Sequence, residues 1–180
     1  MKRAAFLDRD GVVNASVFVD GVPTPPQSVG EVVILDGVVE AIALLKVHGF
    51  IPVVVTNQPD VARGTTSISQ VEAINQKIRE ITNIEHFYTC FHDDIDGCKC
   101  RKPNPGLLFE ATKDLGIDLS ESCMIGDRWR DIAAGLKAGV TCYFIDYSYG
   151  ERQPEQPFTQ VSSLLEAVNL VIGDLNECNC

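Results

Sequence analysis

The chain has 180 residues, 45% of them hydrophobic, enough for one well-packed domain and too few for two comfortable ones. Its 15 Lys and Arg against 25 Asp and Glu leave a formal charge of −10, which argues against nucleic acid or an anionic membrane surface as a partner and requires any anionic ligand to meet a local basic pocket. No segment has about 18 uninterrupted apolar residues, Asp8 interrupts the N-terminus before a signal-length apolar run develops, and the seven cysteines are an odd number, so a cytosolic, reducing setting is expected.

Short apolar runs rich in β-branched residues alternate with stretches of helical period. Strands are expected over 4–7, 51–55, 86–89, 123–125 and 141–145, and helices over about 38–47, 69–82, 105–115, 129–138 and 161–172. Ser69, with Glu72 three residues on, reads as a capping box for the second helix. The proline-rich stretch 14–30 reads as a loop or small flap, and 150–157 as a connector. A helix after each strand implies right-handed βαβ units, hence an α/β, doubly wound, Rossmann-like three-layer fold around a central parallel sheet. One domain over residues 1–175 is expected, followed by a polar tail, 176–180, in which Cys178 and Cys180 show no partner pattern.

In such sheets the ligand crevice lies outside the carboxyl ends of the strands. The first expected strand ends in FLDRDG, so Asp8 and Asp10 stand two residues apart with Gly11 allowing a sharp exit. Two carboxylates at one strand end repel unless a cation sits with them, which makes the pair a candidate Mg²⁺ site. The second ends in VVVTNQ, offering the Thr56 hydroxyl and the Asn57 amide to an anion, and MIGDRWRD adds Asp127 and Asp131 ahead of a helix. Each motif alone has an ordinary reading as a turn or a cap. Their convergence at successive strand ends does not. Positive charge comes from RKPNPG, where flanking prolines fix the path that delivers Lys102. Trp129, in the turn entering a helix, is either a core anchor or a wall of the crevice.

Just before that run, Cys90, His92, Cys98 and Cys100 have the spacing C-x-H-x5-C-x-C. Three thiolates and an imidazole match a tetrahedral zinc site, and four protein ligands leave no open position, so this Zn²⁺ is expected to be structural. Cys123 and Cys142 fall in apolar strands and read as core thiols.

DRDGVVN, VVVTNQ with ARG shortly after, the C-x-H through CKCRKPNPG stretch and GDRWRDIAAGLKAG, together spanning roughly residues 4–145, resemble the haloacid dehalogenase-like phosphatases, and within them the small bacterial branch of heptose bisphosphate and histidinol-phosphate phosphatases. The resemblance implies Asp8 as nucleophile in an aspartyl-phosphate mechanism and Asp10 as general acid and base. It implies Mg²⁺ held by Asp8, the Asp10 backbone carbonyl and Asp127, and phosphoryl oxygens held by Thr56, the Asn57 backbone and Lys102. Asp131 would orient Lys102 or a metal-bound water. Intervals of about 45 residues between motifs leave no room for a separate cap domain. Arg63 and Arg101 then become candidates for a remote anionic group. The expected partner is a small phosphorylated metabolite, a sugar bisphosphate fitting two separated basic points, and a monomer is the default. Two departures from the branch pattern, Pro59-Asp60 in place of a small pair and Thr65-Thr66 in place of an aromatic, leave histidinol phosphate or another sugar phosphate as the alternative substrate. A phospho-aspartate receiver switch would also use acids, Thr and Lys, but there the acceptor lies on a middle strand, and no zinc loop is expected.

Overall fold

The computed structural model describes residues 2–19 and 21–177. The chain opens with β1 (Arg3–Leu7), a short hairpin of β2 (Val17–Val19) and β3 (Val22–Thr24), and α1 (Val38–Val47). Next come β4 (Phe50–Asn57), α2 (Ile68–Thr82), β5 (His86–Cys90) and α3 (Gly106–Leu115). The chain continues with β6 (Cys123–Gly126), α4 (Trp129–Ala138), β7 (Thr141–Ile145), β8 (Thr159–Val161) and α5 (Leu164–Glu177). Six strands form one sheet in the order β5-β4-β1-β6-β7-β8, and every pairing is parallel. This is the expected doubly wound architecture.

Alternation along β1 sorts the two cores. Ala5 and Leu7 face one layer, where α1, α2 and α5 supply Ile42, Leu45, Ile74, Ile78 and Val168. Ala4 and Phe6 face the other, where α3 and α4 supply Leu108, Ala111, Ile132 and Ala134. Because both faces are covered, the strands read as unbroken apolar runs rather than alternating ones. Cys123 and Cys142 are buried among these side chains, as expected of core thiols.

Three sequence expectations are corrected. The N-cap of α2 is Ser67, whose side chain accepts from the Gln70 backbone N–H at 3.2 Å; Ser69 lies inside the first turn, so it makes no capping box with Glu72. Val161 does not begin the last helix: it pairs with Ile145 at the sheet edge. The helix follows after Ser162 and Ser163, whose hydroxyls bond the side chain and the backbone N–H of Glu166. The apolar spacing of Val161, Leu164 and Val168 runs through both elements, so periodicity could not separate them. The stretch 14–30 is more ordered than a loop, since Val17 pairs with Thr24 and Val19 with Val22 in an antiparallel ribbon. Cys178 and Cys180 lie outside the described residues.

β1 sits between β4 and β6, and the chain builds outward from it in both directions. The carboxyl ends of these three central strands therefore open at the topological switch point, where Asp8, Thr56 and Asp127 follow or close their strands.

Candidate active site

The carboxyl edge of the sheet forms the floor of a cavity of about 390 Å³. Asp8, Asp10, Thr56, Asn57, Lys102 and Asp131 line its depth; Arg63, Arg101, Arg128 and Arg130 line its mouth; the hairpin covers one side. Trp129 is a wall of this cavity, half-buried, with the guanidinium groups of Arg130 and Arg152 over its ring at 4.9 and 4.4 Å.

Lys102 organises the floor. Only 2% exposed, its ammonium donates to Asp8 Oδ1 at 2.5 Å and to the Val55 carbonyl at 2.7 Å, and pairs with Asp131 Oδ1 at 2.6 Å. Burial works against its charge, but the carboxylates of Asp131 and Asp8 outweigh that and raise its pKa above the lysine range. Its loop is tied to β4 by Asn57, whose side chain donates to the Lys102 carbonyl and accepts from the Lys102 N–H, both at 3.0 Å. The Asn57 amide is thus committed to the backbone that carries Lys102. Asp131 reaches the site because Gly126 has no side chain: a Cβ there would overlap the Asp131 carboxylate. Its other oxygen accepts from the Arg128 N–H at 2.9 Å, closing the first turn of α4.

Carboxyl oxygens of Asp8, Asp127 and Asp131 lie within 4.8 Å of one another. Burial is the largest influence on Asp8 and, with Asp131 and Asp10 adding to it and Lys102 opposing, pushes its pKa up to about 7. Burial likewise raises Asp127 well above the carboxylate range, with Asp8 and Asp131 contributing. One lysine does not neutralise three buried acids. Asp127 Oδ1 is buried without a hydrogen-bond partner among the described residues, and its Oδ2 accepts from Tyr149 at 2.9 Å. A buried unpartnered oxygen on one member of a cluster of three carboxylates fits a hard divalent cation such as Mg²⁺.

Asp10 is held differently. It accepts from the wholly buried Arg9 at 3.0–3.2 Å, from Asn14 at 3.0 Å and from Gln58 at 2.8 Å, while Gln58 also donates to Thr56 Oγ1 at 2.9 Å. Arg9 is braced by Asn75 of α2 at 2.9 Å. Sequence reasoning left Arg9, Asn14 and Gln58 without a role although they lie within the motifs DRDGVVN and VVVTNQ. The missing signal was their burial, which only the fold discloses.

The Cys/His cluster assembles as the spacing predicts. The three Sγ atoms are 3.2–3.7 Å apart, and His92 Nδ1 lies 3.6 and 3.3 Å from Cys90 and Cys100. A tetrahedron with Zn–S near 2.3 Å has S···S edges of roughly 3.8 Å, so these side chains fit Zn²⁺ with little movement. The loop also carries Asp93 and Asp94. Asp93 accepts from Arg63 at 2.7 and 2.9 Å, and Asp94 accepts from Arg101 at 2.8 Å and Arg130 at 2.9 Å. The hydrogen bond from Arg63 is the chief reason that the Asp93 pKa falls to about 2. Arg63 and Arg101 therefore line the cavity as members of an ion-pair network, joined by Arg130, which the sequence did not single out.

The sheet order and an acid–lysine cluster at its switch point define a doubly wound α/β protein with a carboxylate-centred site. Residues 3–139 match the haloacid dehalogenase-like hydrolases, and the chain belongs to that family. It is 35% identical over 151 residues to the D-glycero-beta-D-manno-heptose-1,7-bisphosphate 7-phosphatase of Pasteurella multocida, covering 78% of this chain and 79% of that protein. Against the enzyme of the same name from Escherichia coli K12 it is 35% identical over 150 residues, covering 76% and 75%. The D,D-heptose 1,7-bisphosphate phosphatase of B. bronchiseptica, solved with magnesium and phosphate, superposes with a TM-score of 0.83 at 27% identity, over 97% of this chain and 99% of that one. No helix among the described residues is long and apolar enough to cross a membrane.

Proposed function

We propose that the protein is a Mg²⁺-dependent phosphomonoester hydrolase that removes the 7-phosphate of D-glycero-D-manno-heptose 1,7-bisphosphate. The observation that carries the chemistry is the pairing of Asp8 with a buried lysine, in a cluster with Asp127, one of whose oxygens has no partner among the described residues. The names of the relatives support the substrate.

In this reading the Asp8 carboxylate attacks phosphorus in line and forms an acyl phosphate, splitting one displacement into two. Lys102 and Thr56 hold the equatorial phosphoryl oxygens, with the Asn57 backbone beside them. Asn57 and Asp131 keep Lys102 in place. Asp10 gives a proton to the departing sugar oxygen and takes one from the water that cleaves the acyl phosphate. Its fixed orientation by Arg9, Asn14 and Gln58 suits a group that must act twice from one position. Asp8, the Asp10 carbonyl and Asp127 would hold Mg²⁺, which supplies charge neutralisation as anion approaches anion. Cys90, His92, Cys98 and Cys100 would hold a structural Zn²⁺. The second phosphate of the substrate meets Arg63 and Arg101 at the mouth, and binding there exchanges some of their contacts with Asp93 and Asp94 for contacts with phosphate. We take the enzyme to be cytosolic, monomeric and a single domain.

Phosphate release measured with and without Mg²⁺ on heptose 1,7-bisphosphate and on histidinol phosphate tests this. The expected result is Mg²⁺-dependent turnover with kcat/KM at least tenfold higher on the bisphosphate. Equal or better turnover of histidinol phosphate would overturn the substrate assignment, and absence of turnover on any phosphomonoester would overturn the reaction.

A further inference from the structure

Resting on the Mg²⁺ site proposed above, we infer that Tyr149 is a positioning residue that decides which oxygen of Asp127 is offered to the cation, and so tunes the site toward Mg²⁺ and away from Ca²⁺. Tyr149 lies in the loop after β7, beyond the stretch of chain that matches the hydrolase family.

The two oxygens of Asp127 are unequal. Oδ2 accepts the Tyr149 hydroxyl hydrogen at 2.9 Å, whereas Oδ1 is buried with no partner among the described residues. The phenol is a donor to a carboxylate here, so it occupies one oxygen and leaves the other. Gly11 leaves space for this arrangement: with φ of +94°, its missing Cβ would overlap the Asp127 carboxylate and stand 3.2 Å from the tyrosine hydroxyl. The ring is seated on three sides, with Tyr147 at 5.4 Å, Phe18 of the hairpin at 6.1 Å, and the Arg128 guanidinium 5.8 Å from its centroid. The hydroxyl thus has a fixed address. Outer partners of metal-binding carboxylates set both their orientation and the affinity of the site.

The consequence for metal choice follows from coordination chemistry. Mg²⁺ demands near-octahedral geometry and takes carboxylates through one oxygen, while Ca²⁺ accepts six to eight ligands and bidentate carboxylates. With Tyr149 on Oδ2, one lone-pair direction of that oxygen is taken, so Oδ1 is the better donor and two-oxygen binding by Asp127 is disfavoured. Without it, both are free.

Tyr149→Phe removes the hydroxyl and keeps the ring stack. Titration calorimetry of metal-free protein with MgCl₂ and with CaCl₂ is the direct readout, and unfolding in EDTA checks that the fold is intact. Parent protein that binds no Mg²⁺ would refute the site itself, independently of Tyr149. Given binding by the parent, the expected result for Tyr149→Phe is a Mg²⁺ Kd weakened roughly tenfold, a Ca²⁺ Kd changed much less, and kcat recovered at saturating Mg²⁺. A Mg²⁺ Kd within twofold of the parent, or an equal loss for both cations, would overturn the inference. Phe18→Ala gives a second test: loosening the seat of the ring while keeping the hydroxyl is expected to shift the Mg²⁺-to-Ca²⁺ ratio in the same direction by a smaller factor, and a shift in the opposite direction would count against it.

Discussion

Replacing the proposed nucleophile should make the metal-free protein more stable. Asp8 is buried against Asp10, Asp127 and Asp131, and even with Lys102 at 2.5 Å its pKa is pushed from 3.8 up to about 7. A carboxyl whose folded pKa exceeds its unfolded one holds a proton more tightly in the native state. Between about pH 4 and pH 7 the native state therefore binds more protons than the unfolded chain, and stability falls as pH rises through that window. A rise of about three pH units corresponds to a penalty on the order of 4 kcal/mol above pH 7, and to almost none at pH 4. Asp8→Asn has nearly the same shape, carries no charge and leaves Lys102 with Asp131 and the Val55 carbonyl. In EDTA at pH 8 it should melt roughly 10 °C above the parent. The gap should shrink toward zero at pH 4, and saturating Mg²⁺ should narrow it by stabilising the parent more than the variant. Turnover should be lost in the same variant. Differential scanning calorimetry from pH 4 to pH 8, with and without Mg²⁺, measures all three trends. A variant less stable than the parent at pH 8 without metal, or a gap independent of pH, would refute the reasoning, because the attraction of Lys102 would then outweigh burial and like-charge repulsion.

Lys102→Met should act in the opposite sense. It leaves Asp8 and Asp131 buried and unpaired, so metal-free protein should lose about 3–5 kcal/mol in urea unfolding at pH 8, and kcat in Mg²⁺ should fall by ~10²–10³-fold; retained activity would remove the lysine from the phosphoryl site. Stripping Zn²⁺ with a chelator, verified by metal analysis, should raise KM for the bisphosphate roughly tenfold and lower the melting temperature, because the ligands fix the loop that carries Arg101 and Lys102. Unchanged KM in zinc-free protein would show that the loop holds its shape unaided.

Much of the fold was legible because β1, β4, β6 and β7 are covered on both faces and announce themselves as apolar runs, with helices of clear period between them. The hairpin and β8 were missed for a shared reason. Each strand is three residues long and sits at an edge or apart from the main sheet, where too few positions exist for a pattern to register. The clustering of the acids with the lysine, and of the three cysteines with His92, could be anticipated because the spacing along the chain is itself the chemical signal. Residues that hold them could not. Arg9 looks like a surface arginine between two aspartates until the fold shows it wholly buried, bridging Asp10 to Asn75. Tyr149 stands 22 residues from its partner, Asp127.

The chain's overall acidity and its need to bind an anion are reconciled by how the loops are paired. Arg63, Arg101 and Arg130 face the cavity, and the carboxylates that neutralise them, Asp93 and Asp94, come from the loop of the Cys/His cluster, between His92 and Cys98. The pairs of Arg63 and Arg130 are partly exposed and contribute little stability individually, so an incoming phosphate can displace them at small cost, whereas Arg101 is buried and its pair with Asp94 is held more firmly. In the proposed reading, a loop braced by Zn²⁺ would be useful for more than carrying Lys102: it would place Asp93 and Asp94 so that Arg63, Arg101 and Arg130 stand where they would meet a distal phosphate.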